Sequence, residues 1–400
     1  MKYNISGIKI REILNSGGGI AVEAEVMLLG GNFGRASAPV AILPGRRETT
    51  RTFGLDSEKS SIISDLNIKV QEFKGCSFIS QEGFDSKLES WANILGSDVC
   101  LALSLAFARA AASSSSCNLV SYISKLAKTT IKMPYPLVAV FSGGIHNSEG
   151  NLPFQQIMLA VNISVLDEAL LATKKIYKYI EDLLKKRKLL NGYSSSSGMI
   201  ANEIGMDEMF EIVTKTIHDL GYIDLVGIAV DVAAEHLREE DGKYNIFGKK
   251  QMATDIIEEY INMCKKYPIV YLEDPFDLDE EDAWRDLRKR LDSKVIIVGD
   301  DLFATNSKYI DISLADGILL KMNQAGTLSA TLRAVEKSKS QGMTLCVSHR
   351  SLETEDSFMC DLAVALGVKF IKLGGPRRGD RTSRYNQLIR LEEMFIEKVQ

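Results

Sequence analysis

Apolar and polar positions alternate from the start of the chain. Tyr3, Ile5, Ile8 and Ile10 stand at strand-like spacing, and Ile20, Val22, Ala24 and Val26 alternate with polar neighbours that include Glu23 and Glu25. Residues two apart on a strand share a face, so both segments predict strands with one apolar and one polar side. Two longer stretches, Ser57 to Phe73 and Leu95 to Ala112, predict helices, and the polar tract Ser113 to Ser116 predicts a surface loop. Strands followed by helices predict a small α+β domain over residues 1–130.

The pattern changes from Pro134. Short apolar runs recur at Leu137–Phe141, Ile157–Val161, Leu225–Val230, Ile269–Leu272, Val295–Val298, Ile318–Leu320, Leu345–Val347 and Phe370–Leu373. A continuous apolar run suits a strand buried on both faces. Most of the runs are separated by helical spacing, as with Ile176, Ile180, Leu183 and Leu184. Eight buried strands predict a closed β/α barrel over residues 131–400. An open doubly wound sheet is the alternative, but no GxGxxG follows the first strand. The fold class is α/β, with a C-terminal barrel and a smaller N-terminal α+β domain.

Charge and composition narrow the partners. A net charge of −5 gives no electrostatic reason to expect nucleic acid or an anionic membrane. The run Lys185–Lys188 reads as a solvated helix end. The apolar stretch Val99–Ala112 is interrupted by Arg109 and is too short to span a bilayer. The N-terminus lacks the apolar core of a signal peptide. Six scattered cysteines without a CxxC pair fit reduced thiols, so a cytoplasmic setting is expected.

Polar residues gather at the strand ends. The third run ends at Asp231, the fourth at Glu273–Asp274 and the fifth at Asp300–Asp301. The sixth carries Lys321, the seventh Ser348–His349–Arg350, and the eighth Lys372. In a β/α barrel these ends converge on one face, where active sites form. Any single carboxylate there could simply cap a helix. Three in series, followed by two lysines, instead suggest an oxygen-rich site for Mg²⁺. Beside such a cation, desolvation and charge repulsion would lower the pKa of Lys321, making it a base. The cation would stabilise the enolate that results. Arg350 beside Ser351 offers a forked donor and a hydroxyl suited to phosphate.

Longer motifs carry a resemblance. Tyr271-Leu-Glu-Asp-Pro275, Val298-Gly-Asp-Asp-Leu-Phe-Ala-Thr-Asn306, Leu320-Lys-Met-Asn-Gln-Ala-Gly-Thr327, Ser348-His-Arg-Ser-Leu-Glu-Thr-Glu-Asp356 and Ile371-Lys-Leu-Gly-Gly375 resemble successive segments of the enolase family. Weaker similarity reaches the N-terminus through Leu14–Gly19, Val22–Val26 and Leu95–Asp98. The resemblance implies Mg²⁺-dependent dehydration of 2-phosphoglycerate to phosphoenolpyruvate. It implies Asp231, Glu273 and Asp300 as metal ligands, Lys321 as base, and Lys372 on the substrate carboxylate. It further implies Arg350 and Ser351 on the phosphate, with His146 and His349 as active-site histidines. His218 and His236 have no match and are expected at the surface. A homodimer is implied too, with Arg11, Glu23, Arg390 and Glu392–Glu393 at plausible bridging positions.

The departures from the family cluster. Where the family's mobile loop carries Ser-Gly-Ala-Ser-Thr-Gly, this chain has Val40-Ala-Ile-Leu-Pro-Gly45, so Leu43 stands at the second-metal serine. The family's Gln-Glu-Phe motif reads Gln155-Gln156-Ile157, which places Gln156 where the family has a glutamate. Its Asp-Glu-Gly-Gly-Phe-Ala-Pro loop is replaced by Gly192–Gly198, which has no carboxyl group. The expectation is an enolase-like protein with its metal and base intact and its dehydration activity in doubt. Glu149 and Glu203 are the nearby candidates for a substitute acid. The alternatives are a catalytically degenerate homologue used as a binding or structural subunit, or one retaining only metal-assisted α-proton exchange.

Overall fold

A computed structural model describes residues 2–40, 45–48, 60–147 and 149–396. The first strand, Tyr3–Leu14, pairs antiparallel with Ile20–Leu28, which pairs antiparallel with Phe33–Ala38. The apolar spacing slips from Ile5 to Ile8 because the ladder bulges between Ile5 and Gly7. Val22, Ala24 and Val26 face inward, and Glu23 and Glu25 lie on the outer face with Arg11 and Arg35.

The helix Ser97–Ser114 packs across this sheet. Gly34 permits the contact: a Cβ there would lie 2.0 Å from the Ala106 carbonyl oxygen. The helix includes Ser113 and Ser114, so the expected loop starts two residues later. The helix expected over Ser57 to Phe73 is observed as an α-helix at Ser60–Val70 and a 3-10 turn at Gln71–Phe73; Ser57 lies outside the described residues. The helices Gln81–Ser90 and Leu119–Ala127 complete the small domain. Phe84 stacks on Phe107 with ring centroids 4.2 Å apart, at the centre of an aromatic cluster.

Eight of the remaining strands close into a barrel. In order they are Tyr135–Ser142, Gln156–Val161, Val226–Asp231, Ile269–Glu273, Ile296–Gly299, Gly317–Leu320, Thr344–Ser348 and Phe370–Lys372. Each contains most of one apolar run picked out in the sequence. The eighth pairs with the first and closes the ring. Leu137, Met158, Ala229, Tyr271, Leu319 and Phe370 help to fill the interior.

One feature departs from a simple β/α repeat: the second strand runs antiparallel to both neighbours. Among the described residues the link from strand one to strand two holds a single 3-10 turn, Gly144–His146, and no helix of the kind that usually carries a parallel crossover. Two helices, Leu166–Lys186 and Met206–Asp219, then return the chain to strand three. The start of strand two therefore lies at the same barrel end as the finish of its neighbours, with Gln156 opposite Ser142 and Asp231.

The small domain sits against the barrel through buried polar contacts. The Asp85 carboxylate accepts the Ser329 backbone N–H at 2.9 Å and its hydroxyl at 2.6 Å. Val40 forms an isolated bridge with Leu352 in the loop after strand seven. Among the described residues no single helix is long and apolar enough to cross a membrane.

Candidate active site

The strand ends deliver a charged cavity. Asp231 ends strand three, Glu273 ends strand four and Asp300 follows strand five; all three are buried. Lys372 ends strand eight, and its Nζ lies 2.7 Å from Asp231 Oδ2 and 2.8 Å from Glu273 Oε1. Lys321 directly follows strand six and pairs with Asp300 Oδ2. Gln155 Nε2 donates to Asp231 Oδ2 at 3.0 Å, and the Tyr271 hydroxyl donates to Glu273 Oε2 at 3.0 Å.

The carboxylates are crowded. Burial, reinforced by Asp231, pushes Glu273 up to about 8. Burial and the adjoining Asp300 push Asp301 up to about 7. Three oxygen-only donors at adjacent strand ends, with Asp231 and Asp300 both repelling the Glu273 carboxylate, suit a small hard divalent cation. The residues present thus fit Mg²⁺ at Asp231, Glu273 and Asp300. Among the described residues, the carboxylate trio with oxygens all within 4.8 Å of one another is a different one, Asp274, Asp300 and Asp301. Asp274 is engaged otherwise: its two oxygens accept the backbone N–H groups of Asp300 at 2.8 Å and Asp301 at 2.9 Å. It braces the end of strand five, and Asp300 belongs to both groups.

Lys321 has a charged partner that the spacing along the chain does not reveal. Burial is the largest influence and disfavours its ammonium, but the charges of Asp300 and Asp301 together carry its pKa above the ordinary lysine value. Asp300 is the counter-ion of the Lys321 ammonium.

Both matched histidines line the cavity. His349 Nδ1 faces the Lys372 carbonyl oxygen at 2.9 Å, so Nδ1 carries the proton and Nε2 is an acceptor. Burial, together with Arg381 and Lys372, keeps this ring neutral. Burial likewise lowers His146 to about 4; its Nδ1 lies 3.5 Å from Ser195 Oγ. His218 is exposed on its helix, but His236, expected merely at the surface, lines the cavity rim.

Arg350 and Ser351 also line the cavity. Arg350 Nη2 donates to Glu48 Oε1 at 2.7 Å, a partner not foreseen from the sequence. Arg381, fully buried, donates to the backbone carbonyls of Arg350 at 3.0 Å, Ser351 at 2.9 Å and Ser195 at 3.1 Å. It thereby ties the phosphate-type segment to the serine loop.

At the start of strand two, Gln156 Nε2 donates to Ser196 Oγ at 2.8 Å. Ser196 Oγ lies 3.1 Å from Ser194 Oγ, which donates to Ser142 Oγ at 2.8 Å. The loop is firmly held: Ser196 O accepts the Gly375 N–H and Ser197 O accepts the Tyr177 hydroxyl, both at 2.8 Å. This corner holds amide and hydroxyl groups where a carboxyl acid would be needed. Glu149 is exposed and does not line the cavity, and Glu203 is exposed and accepts from Asn191 Nδ2 at 3.0 Å. Leu43 lies outside the described residues.

Comparison with known families agrees with this architecture. The model described as "Enolase, N-terminal domain" matches residues 5–123. That described as "Enolase, C-terminal TIM barrel domain" matches residues 130–400. With both domains matched around a closed barrel whose mouth gathers carboxylates and lysines, the chain belongs to the enolase family.

Proposed function

We propose that this protein binds Mg²⁺ and a small phosphorylated hydroxy acid of the 2-phosphoglycerate type, and that Lys321 removes the proton next to the substrate carboxylate. Dehydration to phosphoenolpyruvate would follow slowly. The observation that supports this reading is the buried pairing of Lys321 with Asp300, beside Asp231 and Glu273 bridged by Lys372.

A cation held by Asp231, Glu273 and Asp300 supplies the positive charge against which an enolate forms. Burial and the charges of Arg350 and Lys372 favour the neutral amine of Lys321, against the pull of Asp300, which would be among the residues holding the cation. Lys321 then accepts the α-proton. Lys372 takes the substrate carboxylate, and Arg350 with Ser351 takes the phosphate. His146 and His349, both neutral, offer hydrogen bonds without adding charge.

Among the described residues, the corner at the start of strand two offers no carboxyl proton donor for the second half of the reaction. Hydroxide leaves poorly without an acid, and a positioned acid contributes about 10²–10⁴ in rate. Gln156 and Ser196 donate hydrogen bonds but hold no dissociable proton near neutral pH. The firmly held serine loop also favours a second reading, a binding subunit that retains ligand without turning it over.

A cytoplasmic homodimer is part of the proposal. The location rests on six unpaired thiols and the dimer on family membership. Arg11 already pairs with Glu23 and Glu25 within the protomer, and Glu392 Oε1 accepts the Leu166 N–H at 2.8 Å. Bridging through these groups would require exchanging partners.

The test is phosphoenolpyruvate formation from 2-phosphoglycerate with Mg²⁺. The proposal requires slow formation above a Lys321→Ala control. A rate equal to that control would leave the binding reading in its place.

A further inference from the structure

The segment from Gly45 to Glu48 reaches from the small domain onto the barrel mouth. Val40 and Leu352 exchange backbone hydrogen bonds at 2.8 and 3.0 Å, which delivers the chain beside the loop after strand seven. Arg46 then binds both oxygens of Asp277 at 2.7 Å, Asp279 at 2.9 Å and Glu235 at 2.6 Å. The Arg47 guanidinium lies 4.3 Å from the Tyr309 ring centroid and donates to the Leu302 carbonyl. Gly45 packs so closely on Asp301 that a Cβ would come within 2.5 Å of its Oδ1.

Glu48 completes the segment. Its side chain is 2% exposed, and the Arg350 side chain is 5% exposed. Burial works against the Glu48 carboxylate, but the Arg350 charge holds it ionised, below the usual glutamate range. Glu48 Oε1 also accepts the Gly45 N–H at 3.0 Å. Arg350 Nη1 has no hydrogen-bond partner among the described residues. Both side chains line the same cavity. An anion arriving at Arg350 therefore meets a guanidinium that already has a buried carboxylate ligand.

We infer that Glu48 is a specificity-determining residue of the anion subsite, an internal carboxylate that competes with incoming phosphate for Arg350. This rests on the reading of Arg350 as the anion-binding group. A second anion beside a buried carboxylate is repelled strongly, because little water screens the pair. Occupancy by phosphate therefore requires Glu48 to give up Arg350. If Glu48 only positioned Arg350, removing its charge would not tighten anion binding, and removing its side chain would weaken it.

The experiment measures inorganic phosphate binding by calorimetry in the presence of Mg²⁺, for the full chain and for Glu48→Gln, Glu48→Ala and Arg350→Ala. Both Glu48 variants should bind phosphate about tenfold more tightly or better, since each removes a like charge from the site. Affinity unchanged or weakened in Glu48→Gln overturns the inference while leaving Arg350 as the anion site. Equal binding by the unsubstituted chain and Arg350→Ala overturns the reading of Arg350, and this inference with it. Should the Glu48 variants fail to fold, tryptic cleavage after Arg46 and Arg47 in the unsubstituted chain decides the matter. Saturating phosphate should accelerate cleavage as Glu48 is released, and an unchanged rate overturns the inference.

Discussion

Gln156 and Ser196 share a buried hydrogen bond, with Gln156 Nε2 donating to Ser196 Oγ at 2.8 Å. Gln156 is also the cross-strand partner of Asp231. The pair ties the start of strand two to the loop Gly192–Gly198, so the two segments form one local unit. A carboxylate at position 156 would add a negative charge beside Asp231; the amide does not.

Gln156→Glu restores a carboxyl at this corner. Burial and the nearby Asp231 would raise its pKa, which suits an acid working near neutral pH. Phosphoenolpyruvate formation, followed by its absorbance, should rise by about 10-fold or more, within the range a positioned acid supplies. Metal-free stability should fall by about 1–3 kcal/mol, because another charge is buried. An unchanged rate would place the missing acid elsewhere.

Lys372→Met tests the charge balance of the proposed metal site. It leaves Asp231 and Glu273 without their shared ammonium. Breaking a buried ion pair from one side costs about 3–5 kcal/mol. Urea denaturation with EDTA should show a loss of that order. Mg²⁺ should recover part of it, and recovery no greater than in the unsubstituted chain would argue against a cation at these carboxylates.

Asp85, at the domain seam, predicts a pH dependence. Burial raises it from 3.8 to about 6, against the pull of the Ser329 hydrogen bonds. Its folded-state pKa lies above the unfolded one, so the folded protein holds the proton more tightly. The stability it contributes is therefore full below about 4 and is lost as pH rises through about 6. Two units correspond to about 3 kcal/mol. Denaturation of Asp85→Asn and the unsubstituted chain at several pH values should show the difference between them changing across that window. A constant difference would contradict the assignment.

Much of the fold was legible because a barrel strand is apolar on both faces. All eight runs, from Leu137–Phe141 to Phe370–Leu373, fall largely within barrel strands. The reversal of strand two was not legible, since periodicity carries no direction; the short link through Gly144–His146 decides it. Strand-end chemistry located Lys321 and Lys372, but the ionisation of Lys321 depends on a contact with Asp300 that spacing does not reveal. Glu48 was missed for a similar reason, as its partner Arg350 is 302 residues away in sequence. The charged segment Gly45-Arg-Arg-Glu48, following directly on the divergent loop, was the available signal.

The central claim is that proton abstraction survives where dehydration has lost its acid. Incubating the protein with 2-phosphoglycerate and Mg²⁺ in D₂O, and following both deuterium at the α-carbon and phosphoenolpyruvate by NMR, measures the two steps together. Deuterium should enter faster than phosphoenolpyruvate forms, and Lys321→Ala should abolish both. Either no deuterium uptake, or phosphoenolpyruvate appearing as fast as the α-proton is removed, would contradict the account.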